Sequence, residues 1–271
     1  METGRMNHLG QIFFTSPSQL ANHAGATKQP EDRRDWTGET LAETLRYARH
    51  GNPAHVASAE KIIDQIELEI ATESTEWVHG LAGSRPDVPA YLAGQPECMI
   101  SRRPCQLERA PITVWVDLCT SATIPATAIH QRGAGIIAFI MALIREGRAV
   151  QLHAITYSHG IKNDQTIVIC RLPTNPLDLS AVANALAGGG FPRSLCYGIA
   201  RAENGFNGRS AKKSNWHGSY NYRVAAIRAY ALEGLAAPGD IIIPGMHGAD
   251  PRPAPADWVN ARLAEWRRGE A

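Results

Sequence analysis

The sequence predicts an α/β protein, with a mainly parallel sheet flanked by helices and a helical, irregular N-terminal region ahead of it. Three observations support this. Segment 111–153 reads as an apolar strand, a turn, a buried helix and a second strand (ITVWVDL, CTSATIP, RGAGIIAFIMALIREG, RAVQLH). Short β-branched runs then alternate with helical periodicity to the C-terminus, as expected for parallel strands joined by crossover helices. Finally, 44% of the 271 residues are hydrophobic, enough to bury such a sheet on both faces.

Residues 1–38 lack clear periodicity beyond a short strand at Ile12 to Phe14. Thr40 to Arg49 has Leu41, Leu45 and Ala48 at helical spacing, with Thr37 or Thr40 as N-cap, and Gly51, Asn52 and Pro53 end it. Ala54 to Thr72 repeats the pattern through Val56, Ala59, Ile62, Ile63, Ile66 and Ile70. Its carboxylates Glu60, Asp64, Glu67 and Glu69 fall on the opposite, solvated face. Residues 80–110 are broken by proline and glycine and read as a linker or an ordered loop, with a helical turn at Val88 to Ala93. The chain therefore divides into an N-terminal region, 1–110, and an α/β domain, 111–271. After the opening unit come strands at Val150 to Tyr157 and Thr166 to Leu172, a helix from Asp178 to Ala187 and another from Asn221 to Leu235. A short strand at Asp240 to Ile243 and an amphipathic helix from Asp257 to Arg268 close the chain. Gly188-Gly189-Gly190 reads as a helix stop.

A net charge of +1 supplies no bulk field for nucleic acid or anionic membrane. Five cysteines without a CxxC pair argue for reduced thiols, not a disulfide framework. The longest apolar run, Ala134 to Ile144, is about half of a bilayer span. No signal-peptide pattern opens the chain. These features predict a cytoplasmic protein with no membrane partner.

The best candidate site follows from the opening unit. An apolar strand ending on Asp117, with Cys119, Thr120, Ser121 and Thr123 after it, places oxygen ligands at the carboxyl end of a sheet, where open α/β folds bind ligands. A second candidate surface, Arg201 to Arg223, interleaves cations (Arg201, Arg209, Lys212, Lys213, Arg223) with aromatics (Phe206, Trp216, Tyr220, Tyr222), a mixture suited to single-stranded nucleic acid. Its bland alternative is a loop whose aromatics pack on the core. His159 and His247, each beside glycine near a strand end, could converge on Asp117 as in a metal-dependent hydrolase or nuclease. No G-x-S-x-G elbow accompanies Ser121, and no P-loop is present.

Through the strand, Asp117-Leu-Cys119-Thr-Ser121 and the following apolar helix, residues 111–271 resemble a von Willebrand factor A-like domain, a Rossmann-like fold. The resemblance implies a metal-ion-dependent adhesion site holding Mg²⁺ through Asp117, Ser121 and the distant Thr174, with His247 or Asp250 standing where the family has a final aspartate. Hard oxygen ligands of this kind suit Mg²⁺, whereas Cys119 replaces a serine with a poor ligand. It also implies a non-enzymatic partner-recognition function, with an AAA+ ATPase as one partner class. The N-terminal residues resemble, loosely, uncharacterised phage-encoded proteins.

Overall fold

The structure is a computed structural model that describes residues 9–26, 34–65, 74–105, 111–121, 123–159, 165–203, 234–246 and 254–269. Its centre is a five-stranded sheet built from β1 (Leu9–Phe14), β5 (Ile112–Asp117), β6 (Val150–His159), β7 (Gln165–Leu172) and β8 (Ile241–Ile243), in the order β1-β7-β6-β5-β8. Three of its four pairings are parallel, and β6 with β7 is antiparallel. The exception has a simple cause. Only residues 160–164 separate the two strands, whereas a parallel return needs a dozen or more. The expected mainly parallel sheet is therefore present, with one hairpin inside it.

Side-chain alternation assigns the two faces. Val114, Val116, Leu152, Ala154, Val168, Cys170 and Leu172 face the main core, while Trp115, Ile155, Ile167 and Ile169 form a smaller cluster on the other face with Leu235 and Ala236. Over the main core lie α1 (Pro17–Ala26), α6 (Ala126–Arg145) and α7 (Leu179–Ala187). A π-helical turn, Phe191–Cys196, leads into α8 (Tyr197–Glu203) beside them. An outer layer of α3 (Leu41–His50), α4 (Pro53–Ile63) and α9 (Pro255–Gly269) packs on α6 and α7.

This layering explains why α6 is apolar all round from Gly133 to Ile144. A helix with solvent on one side shows a polar stripe, but α6 touches α4, α7 and α9, so Ile136 to Ile140 are each at most 1% exposed. By length and composition α6 could cross a membrane, yet 67% of its most apolar window is buried inside the protein. It begins at Ala126, six residues before the sequence pattern suggested, because Pro125 occupies its N-cap. Its crossing with α7 is close. A Cβ on Gly133 would lie 2.4 Å from Ala187 Cα and from the Leu186 carbonyl oxygen, so glycine sets the approach.

The N-terminal region packs onto the α/β part: β1 pairs with β7 along its whole length, and Phe14, Leu20, Ala48, Ala59 and Ile63 belong to the same core as the sheet. Local periodicity could place these elements but not their partners. Segment 80–110, read as a linker or loop, instead contributes to a three-stranded sheet, β2 (Ser74–Gly80), β4 (Met99–Cys105) and β3 (Arg85–Pro86), with α5 (Val88–Leu92) inserted. Proline is tolerated there because Pro86 sits in the two-residue edge strand β3 and Pro104 next to the end of the central β4. The helix expected at Asn221 to Leu235 falls almost wholly outside the described residues, and the one expected to reach Thr72 ends as α4 at Ile63, with 66–72 outside them.

Candidate functional site: the strand-end loop and an adjoining histidine pair

β5 ends on Asp117, which is buried, and Oδ1 accepts the Cys119 backbone N–H at 2.8 Å. This is the local turn an aspartate favours, with its carboxylate standing in for a backbone acceptor. The chain stays stitched to both neighbours as it leaves the sheet. Leu118 N–H donates to Ile155 O at 2.8 Å, and Tyr157 N–H donates to the Cys119 sulfur at 3.1 Å. On the other side Met246 N–H donates to Cys119 O at 3.0 Å, and Ser121 N–H donates to Met246 O at 3.2 Å. The Ser121 and Thr123 hydroxyls lie 3.0 Å apart, with Thr123 exposed.

Two arginines fix this loop through its carbonyls. Arg132, in the second turn of α6, donates from Nη2 to Asp117 O at 3.1 Å and to Pro244 O at 2.5 Å. Arg193, in the π-helical turn, donates to Ser121 O at 3.1 Å, to Ile124 O at 2.6 Å and to Trp36 O at 2.5 Å. Its guanidinium carbon also sits 4.9 Å from the centroid of the Trp36 ring. Arg193 is 4% exposed, and burial lowers its pKa to about 10. A guanidinium held by three carbonyls is costly to bury, and it ties segment 34–40 to the strand-end loop.

Thr174 does not join the site. Its hydroxyl donates to Val150 O at the start of β6, whereas Asp117 pairs with Ile155, five residues further on. At about 3.3 Å per residue the two are roughly 16 Å apart along the sheet. The cause is the antiparallel β7, which carries the chain back to the amino edge before Thr174. His159 ends β6 on the same edge as Asp117, but four residues beyond the Asp117 register. His247, Asp250, Arg209, Lys212, Lys213, Trp216, Tyr220 and Arg223 lie outside the described residues. Arg201 lies within α8.

Of the donors the resemblance implies, His247 and Asp250 lie outside the described residues, and three others are already engaged or distant. Asp117 Oδ1 is held by a backbone N–H, Cys119 offers a sulfur engaged with the Tyr157 backbone, and Thr174 is at the far edge. Among the described residues, no three His, Cys, Asp or Glu side chains are arranged to hold a metal ion.

Beside this loop the fold assembles a cluster that no sequence pattern announced. Thr40 and Glu43 form a capping box at the start of α3, which leaves Glu39 just outside the helix. Asn52 caps α4, and His55 and Ser58 follow at i, i+3 on one face. His130 comes from the second turn of α6. Ser58 Oγ lies 2.9 Å from His130 Nε2, His130 Nδ1 lies 2.8 Å from His55 Nδ1, and His55 Nε2 lies 3.5 Å from Glu39 Oε1. Glu39 Oε2 accepts the Thr44 hydroxyl at 3.1 Å. Burial, and next the neighbouring His55, lower the His130 pKa below its usual 6.5, against an opposing effect of Glu39. The glycine triplet makes room for this acid. A Cβ on Gly190 would meet Thr44 Oγ1 at 2.0 Å and Glu39 Oε2 at 2.8 Å. The triplet is therefore a seat for the 37–44 segment as well as a helix stop. His55 and His130 are 75 residues apart in sequence, so only tertiary packing reveals the pair.

The fold and this loop define a mixed α/β protein with a mostly parallel, helix-flanked sheet and a built polar loop at the carboxyl end of β5. The chain belongs to the family described as a domain of unknown function (DUF7192), whose model matches residues 6–259. The match runs through residue 110, consistent with one core for both halves. No curated protein and no solved structure matches the chain.

Proposed function

We propose that this protein is a partner-recognition module whose contact surface is the strand-end loop from Asp117 to Ile124, acting without a bound metal. The observation behind the proposal is the double clamp: Arg132 holds the loop at the Asp117 carbonyl and Arg193 at those of Ser121 and Ile124, with Ser121 partly buried and Thr123 exposed. A loop ordered before binding loses less entropy when a partner docks. Rigid scaffolds commonly present recognition residues on such loops. Through the von Willebrand A-like resemblance of residues 111–271, an AAA+ ATPase is the partner class we propose to examine first.

The test is site-specific cross-linking in the native host. With a photo-reactive residue at position 123, the reading expects one discrete protein adduct that persists in EDTA and disappears in Arg193→Met. Diffuse labelling, or an adduct indifferent to Arg193→Met, would overturn it.

A further inference from the structure

We infer that Ser58 is a nucleophilic hydroxyl, activated by His130 and oriented through His55 and Glu39, that accepts the acyl group of a neutral carboxylic ester. This activity is separate from partner recognition at the strand-end loop, since the two use different side chains, and either can fail without the other.

The hydrogen-bond chain admits two directions, and the carboxylate chooses between them. In one, His55 Nδ1–H donates to His130, which leaves the bare His55 Nε2 lone pair facing Glu39 Oε1 at 3.5 Å, an arrangement of like charge density. In the other, His55 Nε2–H faces the carboxylate, His55 Nδ1 accepts from His130 Nδ1–H, and His130 Nε2 is free to accept from the Ser58 hydroxyl. Only the second is electrostatically favourable. It is also the arrangement a hydroxyl nucleophile requires: a base within hydrogen-bond reach, itself oriented by a third group. The two histidine rings stand 4.8 Å apart at 46°, held by α4 and α6, which pack along one another. The lowered pKa of His130 keeps its ring neutral and able to take a proton at pH 7.

All four residues are partly buried, with the His55 and Glu39 side chains 13% and 12% exposed. The substrate carbonyl has to reach Ser58 Oγ, the end of the line away from the carboxylate. The four side chains include a carboxylate and neither lysine nor arginine, which disfavours a phosphate ester, whose transfer relies on cationic stabilisation. In the reaction, Ser58 Oγ bonds to the carbonyl carbon while its proton passes to His130 Nε2. The tetrahedral adduct then breaks its bond to the alkoxy oxygen, and the alcohol departs with the proton returned from Nε2. Water repeats the sequence on the acyl-serine, releasing the acid and restoring the hydroxyl. His55 and Glu39 touch no substrate and are positioning residues.

The full chain is incubated with a fluorophosphonate and, separately, with p-nitrophenyl butyrate, and adducts are located by peptide mass mapping. Labelling is expected at Ser58, absent in Ser58→Ala and slowed on the order of 100-fold or more in His130→Gln, the usual contribution of a positioned base. The rate should rise with pH as His130 loses its proton. Because Glu39 raises the His130 pKa, Glu39→Gln should move that midpoint to lower pH, a shift that a merely structural carboxylate would not produce. Absence of any Ser58 adduct overturns the inference, as does an unchanged rate in folded His130→Gln. Should that variant fail to fold, a wild-type labelling rate independent of pH between about 5 and 8 overturns it equally.

Discussion

Arg193 reaches from the π-helical turn to lie over Trp36, 4.9 Å from the ring centroid, and the two residues are separated by 157 positions in the chain. The same guanidinium holds the carbonyls of Ser121 and Ile124. One buried side chain thereby links the N-terminal segment, the strand-end loop and the turn before α8.

Replacing Arg193 with methionine keeps the packing volume but strands three carbonyl acceptors. Each buried acceptor left unpaired costs on the order of 1–3 kcal/mol, so the variant is expected to lose about 3 kcal/mol or more. Thermal unfolding should fall by roughly 6–12 °C for a chain of this size. A loss below about 1 kcal/mol would mean that the clamp is not tight in solution.

Asp117 is read as a turn-former, not a metal ligand. Asp117→Ala should cost about 1–2 kcal/mol through the lost acceptor for Cys119 N–H, and millimolar Mg²⁺ should leave the melting temperature of both proteins unchanged. A Mg²⁺-dependent rise in the parent that vanishes in Asp117→Ala would reinstate the metal site.

Acid should weaken the fold through two histidines. His153, stacked on Trp115 at 4.4 Å, has its pKa lowered by burial and then by Arg171, with Asp240 opposing. His130 is lowered by burial and then by His55, with Glu39 opposing. An imidazole whose folded pKa lies below its unfolded value refuses a proton that the unfolded chain accepts. Its stability contribution is therefore complete above about pH 6.5 and lost as pH falls from there towards the folded pKa. Melting temperature is expected to decline from about pH 7 to pH 5, and less steeply in His153→Gln. Equal slopes in the parent and His153→Gln would remove His153 from this account.

Gly133→Ala should be among the most damaging small substitutions. The added methyl meets backbone atoms of α7 at 2.4 Å, and neither helix can retreat from its buried position. Overpacking of this kind costs about 1–3 kcal/mol. Gly147→Ala is a useful contrast: its added Cβ has no atom within 4 Å, so its cost comes from the positive φ of 80°. Chemical denaturation of the two variants separates a packing clash from a backbone strain.

Much of the architecture was legible because it is written locally. The apolar strand ending at Asp117, the buried helix after it, the β-branched runs of β6 and β7 and the amphipathic last helix each fix their own type through periodicity. Asp117 was also legible as a polar strand end. Its role was not, because a carboxylate after a strand looks the same whether it caps a backbone N–H or binds an ion. Thr174 shows the limit most clearly: its order along the chain suited a ligand, and the direction of β7 placed it at the wrong edge.

The sequence by itself determined an α/β chain, the identity of most helices and strands from 111 onward, and a hydroxyl-rich loop at one strand end. Tertiary structure alone decided that β1 joins the sheet, that Arg193 clamps the loop to Trp36, and that Ser58, His130, His55 and Glu39 form one line. The physical reason is range. Periodicity and capping act over a few residues, whereas these pairings come from segments 16 to 157 residues apart, brought together only when burial of the common core excludes water between them.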